Sequence, residues 1–268
     1  KTEISMAAAA AEPERAVTCR IRDKEVPVTY ESACRERLDD ILKSGLFLDW
    51  CKNFDDNFDV KKVHLQSVDF FGPRVGFIKL KADITNKKGN FCPGICFLRG
   101  GAVGVLVILT QQEDGQEFTV LTVQPRAPAG KFALCEIPAG MLDDSGNFAG
   151  VAAKEIKEET GLLIQQQDLI DLTKMAYNES FPGIYPSAGG CDEFLRLFLY
   201  RGKVSKTVLS RLQGKLTGVY EEGEMIQLKV IPLRDLWKEA PDAKALSALC
   251  LYENLVATGK LERDPPRS

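Results

Sequence analysis

From Gly140 to Leu162 the chain reads Gly-Met-Leu-Asp-Asp-Ser-Gly-Asn-Phe-Ala-Gly-Val-Ala-Ala-Lys-Glu-Ile-Lys-Glu-Glu-Thr-Gly-Leu, and this run constrains the fold more than any other. Its second half predicts one helix. Asn147 can cap the start. Gly161 can stop it, since glycine takes left-handed backbone angles without penalty. At about 100° per residue, Glu155, Glu158 and Glu159 share about a third of the circle. Ala149, Ala152, Ala153 and Ile156 lie on an adjoining face that can pack on a core. Three carboxylates so spaced repel one another. A divalent cation with a preference for hard oxygen ligands, Mg²⁺ or Mn²⁺, relieves that repulsion. So does plain solvation of an acidic face, and the bare Glu-x-x-Glu-Glu spacing favours solvation. The surroundings have to decide.

Composition narrows the classes. The 268 residues are 44% hydrophobic and 27% charged, ample for one large domain or two small ones. A net charge of −3 gives no electrostatic case for nucleic acid. No apolar run approaches the roughly 18 residues of a membrane helix. The eight cysteines are dispersed, most beside apolar neighbours, which suits free thiols in a reducing compartment. With His64 the sole histidine, a histidine-based triad or zinc cluster is nearly excluded.

Lys1–Arg15 is Ala-rich, lacks hydrophobic periodicity and is expected to be disordered; Glu3, Glu12 and Glu14 make it a poor transit peptide. The region 18–101 predicts a mixture of strands and helices: a strand around Val26–Tyr30, a helix capped by Ser32 and running to about Lys43, and a short helix over Leu46–Phe54. Strands follow over Val63–Phe71 and Val75–Ile84, joined at Gly72-Pro73. That hairpin is marginal alone and needs another surface to bury its apolar face. From residue 102 the texture changes. Val103–Thr110 reads as a buried strand and Phe118–Val123 as its return, with a loop over Gln124–Gly130, a strand over Ala133–Ile137 and then the Gly140 run. Asp168–Tyr177 is a short strand or helix and Phe181–Gly190 a Gly/Pro loop. Phe194–Tyr200 and Glu224–Ile231 are strands; Leu233–Glu239 and Asp242–Thr258 are helical. Residues 259–268 form a tail.

Gly140, Glu155, Ile156, Glu158, Glu159, Gly161 and Leu162 match, at fixed offsets, the Nudix hydrolase box, and the chain resembles that family. Gly146 stands where the box usually has Glu, and Lys154 where it usually has Arg, so a customary pair is missing at both ends. The resemblance implies an α/β/α sandwich with a mixed sheet over 102–258, and Glu155, Glu158 and Glu159 as metal ligands. Glu136-Ile-Pro-Ala-Gly140 is similar to the run before the box in the family's ADP-sugar branch. There the carbonyl matching Ala139 is a metal ligand, and Glu136 is placed with the substrate. Arg126, in Gln124-Pro-Arg126, matches a phosphate-binding Arg of that branch; an Arg holds phosphate bidentately. Tyr185-Pro-Ser-Ala-Gly-Gly-Cys-Asp-Glu193 resembles its Pro-Ser-Pro-Gly-Gly-x-x-Glu signature, with Gly189 and Gly190 at the substrate. Tyr220-Glu-Glu-Gly-Glu-Met-Ile226 resembles its acidic loop, with Glu222 the general base and Glu224 a further metal ligand. Glu158 is the next candidate for the base.

His64–Phe77 resembles plant plastid ADP-sugar pyrophosphatases of this family. That likeness implies a homodimer through residues 18–101, a plastid location, and Mg²⁺-dependent (or Mn²⁺-dependent) cleavage of a nucleoside-diphosphate-sugar, ADP-glucose in particular, to AMP and sugar phosphate. Two alternatives stand beside it: an ADP-ribose-selective pyrophosphatase, and a Nudix-fold module that binds nucleotide without turnover.

Overall fold

Two alternating hydrophobic patterns build two sheets, the first over one core and the second with a core on each face. The computed structural model describes residues 17–142, 147–178, 180–218 and 225–263. The stretch expected to be disordered, 1–15, lies outside them, as do Gly146, Glu221, Glu222 and Glu224.

The first unit comprises residues up to Arg99 together with Gly189–Cys191. Strands β1 (Val17–Ile21) and β2 (Lys24–Tyr30) pair antiparallel, and two helices follow, α1 (Leu38–Lys43) and α2 (Gly45–Lys52). Next come β3 (Phe58–Phe71), β4 (Arg74–Asn86), β5 (Phe91–Cys92) and β6 (Ile95–Leu98). The order is β1-β2-β3-β4-β5, with β6 also on β4; β2 and β3 run parallel. Alternation along β3 and β4 buries Val60, Val63, Leu65, Ile78 and Leu80 against Ile41, Phe47 and Trp50 of the helices. The hairpin's second surface is therefore supplied within its own unit. The helix expected from Ser32 to Lys43 is broken. Ser32–Cys34 is a single 3-10 turn and α1 begins only at Leu38. Glu31 donates its backbone N–H to Leu65 in β3 at 2.9 Å, and Cys34 is fully buried, so this segment is committed to the sheet before a helix can start.

The second unit holds residues 100–188 and 192–268. In chain order it carries β7 (Ala102–Gln111), β8 (Glu117–Arg126), β9 (Lys131–Glu136), β10 (Ala139–Met141), α3 (Phe148–Thr160), β11 (Ile170–Asp171) and α4 (Leu172–Tyr177). The remainder is β12 (Leu195–Val204), α5 (Lys206–Leu212), β13 (Leu216–Thr217), β14 (Ile226–Pro232), α6 (Leu236–Glu239) and α7 (Ala243–Ala257). The sheet order is β11-β12-β7-β8-β14-β13, with β10 on β7 and β9 on β8; β12 runs parallel to β7 and the other pairs are antiparallel. Leu106 and Ile108 of β7 belong to the core under α4, α6 and α7. Val103, Val105, Val107 and Leu109 belong to the core under α3 and α5. Helices on both faces of a mixed sheet make the expected α/β/α sandwich.

Two local expectations change. Gln124–Gly130 is not a loop throughout: β8 continues to Arg126, held by pairing with β9 across a register shift between Gln124 and Arg126. Pro125 sits at that irregularity, where its missing N–H costs no ladder bond. Helix α5 was not expected; at seven residues it is too short to show a period. No helix among the described residues is long and apolar enough to cross a membrane. All eight cysteines are free thiols.

Candidate active site

Helix α3 is fixed at both ends and along one face. The Asn147 side chain accepts from the Gly150 N–H at 3.0 Å, and Gly161 ends the helix at φ 76°. Between them Val151, Ala152 and Ile156 are buried against β7 and β12. Burying Ile156 alone is worth about 2 kcal/mol. The last carbonyls, left without helical partners, are met from outside. Thr217 donates its hydroxyl to the Glu159 carbonyl, and the Gly218 N–H reaches that of Glu158 at 3.4 Å. At the other end the Arg196 guanidinium lies 4.9 Å over the ring of Phe148 while bonding Asp171 at 2.7 Å. Asp171 in turn caps α4. Arg196 thus ties the start of the glutamate helix to β11 and β12, a role that its place in an alternating strand does not reveal.

The helix presents its carboxylates to β10. Glu159 is 4% exposed, and its Oε2 accepts from the Ala139 N–H at 2.9 Å. Glu155 lies over Gly140: a Cβ on Gly140 would stand 2.0 Å from the Glu155 carboxyl carbon. Glycine is required there because a carboxylate occupies the side-chain space. Glu158 is turned outward, its side chain one-third exposed and 3.7 Å from the Lys154 amine. Lys154, which departs from the box, has thus found a partner on its own helix. Glu159 and Glu155 thus meet the Ala139-Gly140 backbone, while the Glu158 carboxylate lies beside Lys154. Among the described residues no three His, Cys, Asp or Glu side chains converge as a metal cluster. The Ala139 N–H on Glu159 and the Lys154 amine beside Glu158 reduce the repulsion inherent in their spacing. The donors at this place are oxygens of two carboxylates beside the half-buried backbone of Ala139-Gly140, a hard set that fits Mg²⁺ or Mn²⁺.

A second group of charges lies on the same unit. Arg126 Nε donates to Glu136 Oε2 at 2.6 Å; Lys244 Nζ donates to Glu136 Oε1 at 2.8 Å and to Asp242 Oδ1 at 2.9 Å. Glu136 is 4% exposed. Burial works against its charged form, but the Lys244 and Arg126 charges outweigh it and hold the carboxyl below its usual range. Burial likewise opposes the charge on Lys244, and Asp242 and Glu136 overcome it, so that amine titrates above its usual range. Lys244 stands 108 residues from Glu136, so no local pattern could have pointed to it.

Gly189 and Gly190 are exposed and fall in the first unit, where the Gly190 carbonyl accepts from the Phe97 N–H at 2.8 Å. A side chain on either would meet nothing within 4 Å, so no contact within the protein itself requires glycine there. Glu222, Glu224 and Gly146 lie outside the described residues.

The NUDIX domain model matches residues 99–250. Over 224 residues, 80% of this chain and 72% of the relative, the chain is 46% identical to Nudix hydrolase 14, chloroplastic, of Arabidopsis thaliana. A putative nudix hydrolase 2 of Caenorhabditis elegans is 39% identical over 64 residues, 24% of this chain and 28% of that one. A solved ADP compounds hydrolase shares the fold, with TM-score 0.51 at 16% identity, covering 78% of this chain and all of its own. The chain belongs to the Nudix hydrolase family.

Proposed function

We propose that this chain is a Mg²⁺- or Mn²⁺-dependent pyrophosphatase that splits ADP-sugars, ADP-glucose or ADP-ribose, into AMP and sugar phosphate. The observation that carries this reading is the placement of Glu155 and Glu159 against the Ala139-Gly140 backbone. The ADP compounds hydrolase that shares the fold and the resemblance of the front half to ADP-sugar enzymes support the substrate class. Glu155, Glu159 and Ala139, with Glu158 and Glu224, are the residues that hold the cation. When bound, divalent ions neutralise the diphosphate and bring the pKa of an attacking water towards neutrality. Glu222 takes the proton from that water, a task for which a carboxylate outside the cation's ligand set is suited. Arg126 receives a phosphate through the end of its guanidinium that Glu136 leaves open.

The same reading makes the protein a plastid homodimer. A relative whose name places it in the chloroplast supports the location. Phe58, Phe71, Phe91 and Ile95, apolar side chains exposed on the first unit, support self-association. Light scattering that finds a monomer at micromolar concentration contradicts the dimer. A non-catalytic nucleotide-binding module is favoured by one observation, the Lys154 amine beside Glu158. Incubating the protein with Mg²⁺ and a panel of ADP-sugars in oxygen-18 water separates the readings. AMP and sugar phosphate are expected, and whichever of the two carries the label shows which phosphorus is attacked. No product from any ADP-sugar refutes the pyrophosphatase.

A further inference from the structure

We infer that Lys244 is a positioning residue, which fixes Arg126 for phosphate binding by holding the carboxylate of Glu136 between the two cations. The inference rests on the pyrophosphatase reading for the identity of the phosphate ligand, and on geometry for the rest.

Arg126 is bound at Nε alone among the described residues, by one oxygen of Glu136 at 2.6 Å. Its side chain is 40% exposed. The two terminal nitrogens are therefore left as a fork toward solvent, the edge that grips phosphate. Aim depends on Glu136, and Glu136 cannot turn. Its other oxygen is taken by Lys244 at 2.8 Å, and the residue is sealed from solvent. Direct contact with a ligand is thus the smaller part of what this carboxylate can do.

Lys244 is in turn set by rigid parts. Asp242 accepts from Lys244 at 2.9 Å while capping α7 through the Ala245 N–H at 3.1 Å. Gly104 in β7 lies under the first turn of α7: a Cβ there would stand in ordinary contact with the Lys244 Cβ, at 3.7 Å, and tightly against Leu197, at 3.2 Å. Lys244 and the half-exposed Arg126 balance Glu136 and Asp242, so the two buried carboxylates carry no unpaired charge. Buried ion pairs are seldom kept for stability, since apolar residues of equal volume serve as well. In the proposed relay their use is to hold a geometry.

A thermodynamic cycle on the full chain tests this, with the KM for ADP-ribose and the Kd for ADP as readouts. Lys244→Met is expected to raise both about tenfold with kcat changed less than threefold, the pattern of lost ground-state binding. In an Arg126→Ala background the same substitution is expected to change either constant less than twofold, because the group it positions is gone. An equal effect in both backgrounds, or no effect in the first, overturns the inference. Should Lys244→Met fail to fold, Lys244→Arg, which keeps the charge at a different reach, is run through the same cycle with the same criteria. If the wild type hydrolyses no ADP-sugar, the substrate reading fails on its own, while the ADP affinities still decide the relay.

Discussion

Gly140→Ala separates catalysis from stability. A Cβ at this position would stand 2.0 Å from both the carboxyl carbon and Oε1 of Glu155. Carbon atoms rest at about 3.5 Å or more, so the carboxylate must retreat by about 1.5 Å. What moves is the flexible Glu155 side chain from its Cγ outward, itself 2.5 Å away, with an off-rotamer cost of about 1 kcal/mol. Alanine is better than glycine within a strand by a comparable amount. The net change in folding free energy is therefore within about 1 kcal/mol, a small shift in Tm. Catalysis has no such compensation. Misplacing a reacting group by about 1 Å costs about a hundredfold. Melting curves and kcat against Mg²⁺ concentration, measured on the same preparation, give both quantities. An unchanged Tm with kcat down about a hundredfold, or with a raised Mg²⁺ requirement, is expected. Normal turnover at normal Mg²⁺ refutes the assignment of Glu155; loss of fold refutes the claim that only a side-chain end is displaced.

Glu159→Gln keeps an oxygen to accept the Ala139 N–H, so the fold should survive while kcat falls by about two orders of magnitude; near-normal turnover at saturating Mg²⁺ sinks its role. In the acidic loop, Glu222→Gln should cut kcat without altering the Mg²⁺ dependence, Glu224→Gln should raise the Mg²⁺ needed for half activity, and Glu221→Gln should be nearly silent. Kinetics showing Glu221 critical and Glu222 silent would shift the register by one. Stability should report Glu136. Its carboxyl is held below its ordinary value, so its contribution is fully present above about pH 4.3 and is lost as pH falls through the folded value. Urea titrations should show the gap between wild type and Glu136→Gln narrowing in acid; a gap constant from pH 7 to pH 3 refutes the pairing.

Signals confined to a few residues were legible in the sequence. Asn147 and Gly161 bound α3 as expected because a cap and a left-handed stop act within one turn. Gly140 was legible as a motif position, and the structure supplies the reason, a carboxylate in its side-chain space. What failed was decided at long range. Ser32 has the chemistry of a cap, yet Glu31 is bound to β3 and Cys34 is drawn into the core. Pro125 and Ala127 look like loop, yet Arg126 is held in a strand by Lys131 across the register shift. The partners of Glu136 come from β8 and α7, and only folding brings them together.

The alternation along β7 divides inheritance as well as packing. Its even-numbered residues Leu106 and Ile108 face the layer that carries Lys244, while its odd-numbered neighbours Val105 and Val107 face the layer that carries Glu155 and Glu159. A change of side-chain volume at one of these positions is felt first by the helix layer that it faces. Variation can therefore reshape the seat of the glutamate helix before it reaches the lysine's helix, or the reverse. Descendants of such a chain are free to retune the carboxylate side and the cation side of the site one at a time.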